Sequence, residues 1–141
     1  MSPMYERLLV AVDQSDAAEQ VIHAARELAL LSAGEVWLLH VREKEVMPRA
    51  GFFEIESEQE ALSVVERAAQ ELNDASIKTH YEVRKAIYGY AAGQIVTAAQ
   101  DCDAGVIVMG SRGRTDLAGL VLGSTAHKVI HLSDRPVLVV R

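Results

Sequence analysis

The residues best suited to chemistry lie in one segment, Met109 to Thr125, where glycines, arginines and hydroxyl side chains concentrate. Gly110 and Gly113 would let the backbone approach a ligand closely, because no Cβ stands in the way. Arg112 and Arg114 supply forked donors that suit phosphate oxygens. The segment therefore predicts a phosphate-binding loop.

The neighbouring elements would present this loop to a ligand. The apolar run 106–108 precedes it and is typical of a buried strand, and the periodic stretch Ser124–Leu132 predicts a helix. Gly123, Ser124 and Thr125 lie at the start of that helix, where unpaired N–H groups and a partial positive charge attract anions. The spacing matches neither the Walker motif nor the dinucleotide motif, so an ordinary glycine-containing loop is the alternative.

The pattern Met-Gly-Ser-Arg-Gly, nine residues, then Gly-Ser-Thr, with the apolar runs Leu8–Asp13 and Pro136–Val140, closely resembles the universal stress protein family. The resemblance covers essentially the whole chain and includes the glycine pattern of the ATP-binding branch. Two positions depart from it. Gln14 stands where many members have Gly, and Asp116 places a negative charge in the loop, which is expected to weaken affinity for polyphosphates.

This resemblance implies one universal stress protein domain over residues 1–141, with ATP or a related adenine nucleotide, accompanied by Mg²⁺, as a regulatory ligand in the stress response. Asp13 would meet the ribose, the base or a phosphate-bound magnesium ion, or would cap the following turn. We assign no catalytic residue and no protein metal site. The implied nucleotide-binding residues are Ala11, Val12, Asp13, Val41, Met109, Gly110, Arg112, Gly113, Arg114, Gly123, Ser124 and Thr125.

Strand and helix patterns alternate along the chain and predict an α/β fold. Four continuous apolar runs suit strands buried on both faces, and one alternating run, 77–84, suits an edge strand. With four intervening helices they predict a single open, doubly wound parallel sheet of five strands, order 3-2-1-4-5, with helices on both faces. The resemblance implies the same Rossmann-like, adenine nucleotide alpha hydrolase-like fold. The ligand crevice would lie between Asp13 and Gly110, where the strand order reverses.

Two local features lie outside this alternation. The stretch Arg42–Ile55 shows neither period and predicts a long loop, either a variable connection or a lid or protein-partner surface. Gly89 and Gly93 are interpreted as a tight start and a close packing contact of the third helix, over Gly89–Ala99.

Composition and charge limit the partners and the compartment expected for the chain. With 14 basic and 20 acidic residues the net charge is −6, which disfavours non-specific nucleic-acid binding. Neither a leader-like segment nor an apolar run of 18 residues is present in the sequence, so we expect a cytoplasmic protein without a membrane partner. The single cysteine, Cys102, lies between two aspartates and is interpreted as a structural thiol.

Three histidines are weaker candidates for a functional site than the phosphate-binding loop. His127 and His131 are four residues apart on the predicted helix, but an exposed helix face is favoured over a metal site. His40 lies in an apolar strand and is interpreted as a neutral, hydrogen-bonded core residue.

The main functional hypothesis is a nucleotide-binding regulator with little or no turnover, because the loop lacks an evident general base. A slow ATPase or self-phosphorylating switch, with Ser124 or Thr125 as acceptor, is the enzymatic alternative. A nucleotide-free dimeric adaptor is the third. The sequence leaves the choice among ATP, AMP and cyclic AMP open. The apolar final strand, Pro136–Arg141, would be an unprotected edge and predicts a homodimer formed through it, as the resemblance also implies.

Overall fold

A computed structural model describes residues 4–47, 51–54, 56–112 and 122–141. Six strands and four helices follow one another along these ranges. Their bounds are β1 Arg7–Ala11, α1 Ala18–Ser32, β2 Glu35–Met47, β3 Gly51–Glu54, α2 Glu58–Asp74, β4 Thr79–Ile87, α3 Ala91–Asp101, β5 Val106–Gly110, α4 Ser124–Leu132 and β6 Val137–Val140.

Five of the strands form a parallel sheet in the order β4-β2-β1-β5-β6. In the numbering of the predicted strands this is 3-2-1-4-5, so the predicted topology is confirmed. Strand β4 lies at one edge, as its alternating pattern predicts, and β6 lies at the other among the described strands.

Two apolar layers cover the two faces of the sheet. Leu8 and Val10 of β1 pack with the buried sides of α1 and α2. Leu9, the residue between them, packs instead with α3 and α4. Because successive strand residues point to opposite faces, the part of a strand that is buried on both sides must be apolar at every position, as residues 8–11 of β1 and 106–110 of β5 are.

The stretch predicted as a long loop is different. Strand β2 continues to Met47 and pairs antiparallel with β3, so this part of the chain is a strand hairpin and the sheet has six strands. Gly51 begins β3 with a φ of 82°, a conformation that glycine adopts without strain. The predicted loop was wrong because hydrogen bonds between β2 and β3 hold this charged stretch extended. Local hydrophobic periodicity gives no sign of such pairing with another strand.

The side of β2 on which β3 lies follows from the register. Lys44 pairs with Ile87 of β4 and with Glu54 of β3, so these two strands occupy opposite edges of β2. Val36 pairs with β1 on one edge and with β4 on the other. Strand β3 therefore shares an edge of β2 with β1, beyond the carboxyl end of β1.

The predicted glycine roles in the third helix are half confirmed. Gly89 has a φ of 89° and precedes α3, as a tight start requires. Gly93 is exposed, and a Cβ built on it would meet no atom within 4 Å. The predicted close packing at Gly93 was wrong. Across the described ranges, no helix is both long and apolar enough to cross a bilayer.

Candidate functional site

A cavity opens at the carboxyl ends of β1 and β5 and beside the middle of β2, where the order of the parallel strands reverses. Its volume is about 160 Å³, and one water needs roughly 10–15 Å³, so it admits a small organic molecule. Its walls are mainly apolar in the middle and polar at both ends. The residues that line the cavity include Ala11, Val12, Asp13, Gln14, Ser15, His40, Val41, Glu43, Glu56, Gly89, Ile95, Met109, Gly110, Arg112, Ser124 and Thr125.

The structure brings nine of the twelve predicted site residues to this cavity. Gly123 is buried at the N-cap of α4, next to two of them. Gly113, Arg114 and the negatively charged Asp116 lie outside the described residues. The nine that line the cavity are Ala11, Val12, Asp13, Val41, Met109, Gly110, Arg112, Ser124 and Thr125.

One end of the cavity is formed by the junction of β5 with α4. Ser111, which follows β5, accepts a hydrogen bond from the Gly123 N–H and donates its own N–H to the Val140 carbonyl at 2.8 Å. Gly123 caps α4 without a side-chain hydrogen bond, because glycine has no side chain to offer. The amides of the first turn therefore lie beside the cavity with the positive end of the helix dipole. This end can receive an anion.

Asp13 follows β1 and contributes to the cavity wall. Its Oδ1 accepts a hydrogen bond from the Ser15 N–H at 2.9 Å, which fixes the turn into α1. The carboxylate thus has the turn-capping role that was one alternative for it, and it also lines the cavity.

Three side chains at the other end of the cavity form a cluster that the sequence did not predict. His40 is 4% exposed, as predicted for a core residue, but it also lines the cavity. Its Nδ1 contacts the Val12 carbonyl at 2.7 Å and its Nε2 contacts Glu56. Glu56 also accepts a hydrogen bond from the Gln14 carboxamide. Sequence spacing offers no signal for this cluster, because Glu56 is 16 residues from His40 and 42 from Gln14.

The rim beside β4 is held by contacts to Gly89. Its N–H donates to Glu43 Oε2 at 2.9 Å, and its carbonyl accepts from Lys128 Nζ at 3.0 Å. These bonds join β2 to α4 through Gly89, which lines the cavity. The left-handed conformation of Gly89 directs both backbone groups toward these partners.

The remaining candidates lie away from this cavity. His127 and His131 are exposed, and the residues described here include no cluster of three metal-ligating side chains. Burial raises the pKa of the Cys102 thiol, which suits the predicted structural role because a protonated thiol is a poor nucleophile.

Charge is unevenly distributed around the cavity. The carboxylates of Glu43 and Glu56 lie on or beside β2, and that of Asp13 follows β1. Arg112 and the start of α4 lie on the β5 side. An anionic group is therefore favoured at the β5 side, and a group with N–H or O–H donors is favoured at the β2 side.

Comparison with known proteins agrees with this architecture. The sequence model of the Universal stress protein family matches residues 4–141. Universal stress protein MJ0577 of Methanocaldococcus jannaschii is 32% identical over 100% of this chain and 98% of its own. Universal stress protein YxiE of Bacillus subtilis is 33% identical over 98% of this chain and 100% of its own.

Solved structures give the same result. A structure of MJ0577 superposes with a TM-score of 0.75 at 30% identity, covering 98% of this chain and 96% of that chain. The universal stress protein of Archaeoglobus fulgidus in complex with dAMP superposes with a TM-score of 0.73 at 26% identity, covering 99% and 100%. The chain belongs to the universal stress protein family.

Proposed function

We propose that the chain binds ATP or a related adenine nucleotide, with Mg²⁺ on its phosphates, as a regulatory ligand in a stress response. The observation that carries this proposal is the polarity of the cavity, with an uncapped helix start and Arg112 at one end of an apolar slot. A related protein, that of Archaeoglobus fulgidus, has been solved with dAMP bound.

The charge distribution supports one orientation of the nucleotide. Phosphates would lie against the first turn of α4, near Arg112, Ser124 and Thr125. The base and ribose would then occupy the slot between Ile95 and Val41, with the carboxylate of Asp13 accepting from their donor groups. The opposite orientation would place phosphates against the carboxylates on the β2 side.

Binding without turnover is the favoured form of this proposal. Among the described residues, the cavity carboxylates of Glu43 and Glu56 lie on the β2 side, away from the proposed phosphate position beside α4, and Asp13 caps the turn into α1. A general base must lie within hydrogen-bond reach of the attacking group. Incubation with radiolabelled ATP tests the enzymatic alternative, since phosphate release or labelled protein would support it.

Isothermal titration with ATP and Mg²⁺, AMP, cyclic AMP and GTP tests the proposal directly. Arg112→Gln should weaken ATP binding about tenfold, or roughly 1.4 kcal/mol. The same substitution should weaken adenosine binding much less, because adenosine carries no phosphate. Arg26→Gln is the matched control, because Arg26 is also exposed but lies on α1, away from the lining. No detectable heat with any adenine nucleotide at millimolar concentration would overturn the proposal and favour the nucleotide-free adaptor.

We also propose a homodimer through the edge of β6. The carbonyls of Pro136 and Val140 accept from the β5 chain, so the residue midway between them, Leu138, also directs its backbone toward β5. The N–H groups of Val137 and Val139 then face the open edge, where a second copy of the strand can pair with them. The cytoplasmic location, the single domain and a protein partner for the β2–β3 hairpin stay predictions.

A further inference from the structure

The cluster at the β2 end of the cavity connects three separate parts of the chain. Glu56 lies directly before the N-cap residue of α2, His40 lies on β2 and Gln14 lies in the loop between β1 and α1. The two carboxylate oxygens of Glu56 divide between these partners, Oε1 to His40 and Oε2 to Gln14. One side chain therefore joins a strand to a loop.

Glu56 reaches this position because of the β2–β3 hairpin. Strand β3 lies on the β1 edge of β2, beyond the end of β1, so Glu56, two residues after β3, can lie beside Gln14 in the loop that follows β1. Arg42 Nε donates to the Glu56 carbonyl at 3.2 Å and holds the backbone there. The Glu56 side chain is only 5% exposed, and a buried carboxylate is stable there only with donors around it.

The cluster contacts the chain on both sides of Asp13, at the Val12 carbonyl and at the Gln14 side chain. A carbonyl only accepts, so His40 Nδ1 donates to the Val12 carbonyl and its ring orientation depends on the Glu56 contact at Nε2. Gln14 is held directly. Asp13 lies between these two tethered residues and faces the cavity.

We propose that Glu56 is a positioning residue of the cavity, which fixes the loop carrying Asp13 by joining Gln14 to His40. The use of this loop for a nucleotide rests on the function proposed above. Gln14 is one of the two departures from the family pattern, and the structure assigns it a contact that glycine lacks. The proposed effect of Glu56 on the ligand is exerted through this loop.

Hydrogen–deuterium exchange in the unliganded protein tests the positioning role without any nucleotide. Glu56→Ala removes both contacts and should raise the exchange rate of the Ser15 amide at least tenfold. Glu56→Gln should restore slow exchange, because an amide can accept from Gln14 and donate to His40 Nε2. Glu58→Ala is the matched control, an exposed carboxylate two residues away. Unchanged exchange in the core amides of β1 and β5 would show that the variants are folded.

Titration with ATP and Mg²⁺ gives the second measurement. We expect affinity about tenfold lower in Glu56→Ala and near the wild-type value in Glu56→Gln and Glu58→Ala. If Glu56→Ala does not fold, Gln14→Ala removes one of the two contacts from an exposed side chain and should show the same direction in both measurements.

The two measurements separate the two proposals. Wild-type protein that binds no adenine nucleotide would overturn the proposed function, while a faster Ser15 exchange in Glu56→Ala would still support the positioning role. Equal Ser15 exchange in wild type and Glu56→Ala would overturn the positioning role. Equal nucleotide affinity in a wild type and a Glu56→Ala variant that both bind would also overturn it.

Discussion

Replacing Gly105 with Ala should destabilise the protein by about 1–3 kcal/mol, the usual cost of overpacking a site. A Cβ built on Gly105 would lie 1.4 Å from the Met4 carbonyl oxygen and 2.7 Å from its carbon. These are backbone atoms, so no rotamer change relieves the overlap. The Gly105 N–H also donates to the Arg7 carbonyl at 2.9 Å, which ties the start of β5 to β1. The segment before β1 must therefore move, or this bond must break.

Gly93 provides the opposite case in the same protein. It is exposed in the first turn of α3, and an added Cβ meets nothing within 4 Å. Replacing it with Ala should stabilise the protein by about 0.5–1 kcal/mol, because glycine loses more backbone entropy when a helix forms.

Urea denaturation followed by circular dichroism measures both changes as shifts in the free energy of unfolding. For a chain of this size each kcal/mol also moves Tm by roughly 2–4 °C, so the two variants should melt on opposite sides of wild type. Equal stability of Gly105→Ala and wild type, or a loss of stability in Gly93→Ala, would refute the steric reasoning.

Burial raises the pKa of Cys102, so iodoacetamide should modify it more slowly at pH 8 than in urea-unfolded chain, and equal rates would contradict this. A hydrogen bond from His80 lowers the pKa of Glu35 below its ordinary value of 4.5. The ionised carboxylate therefore stabilises the fold above about pH 4.5, and this stabilisation is lost as the pH falls through the lowered pKa. In urea titrations between pH 3 and 7, the free energy of unfolding should therefore fall less steeply with decreasing pH in Glu35→Gln than in wild type. Val139→Pro removes an N–H from the open edge of β6 and should give monomers in sedimentation at micromolar concentration. Leu138→Pro should also lower Tm, because it breaks a hydrogen bond to β5. A wild-type protein that sediments as a monomer would exclude the β6 dimer.

Much of the fold could be predicted from the sequence because its strongest signals are local. A strand covered on both faces must be apolar at successive positions, and the runs at β1 and β5 are. The edge position of β4 follows from its alternation, and α4 spans Ser124–Leu132 as predicted. Glycine and hydroxyl residues at the start of α4 likewise predict an anion-binding end of the cavity, because a helix N-terminus needs no distant partner to attract an anion.

Only the tertiary structure decided the other end of the cavity. Glu56, His40 and Gln14 become neighbours because the β2–β3 hairpin carries the chain over the end of β1, and no spacing in the sequence records that path. The tertiary structure likewise distinguishes Gly93 from Gly105. A Cβ added to Gly93 would meet no atom within 4 Å, whereas one added to Gly105 would overlap the Met4 backbone. Local patterns report the backbone a residue prefers and the face it buries, whereas contacts between distant residues depend on strand pairing.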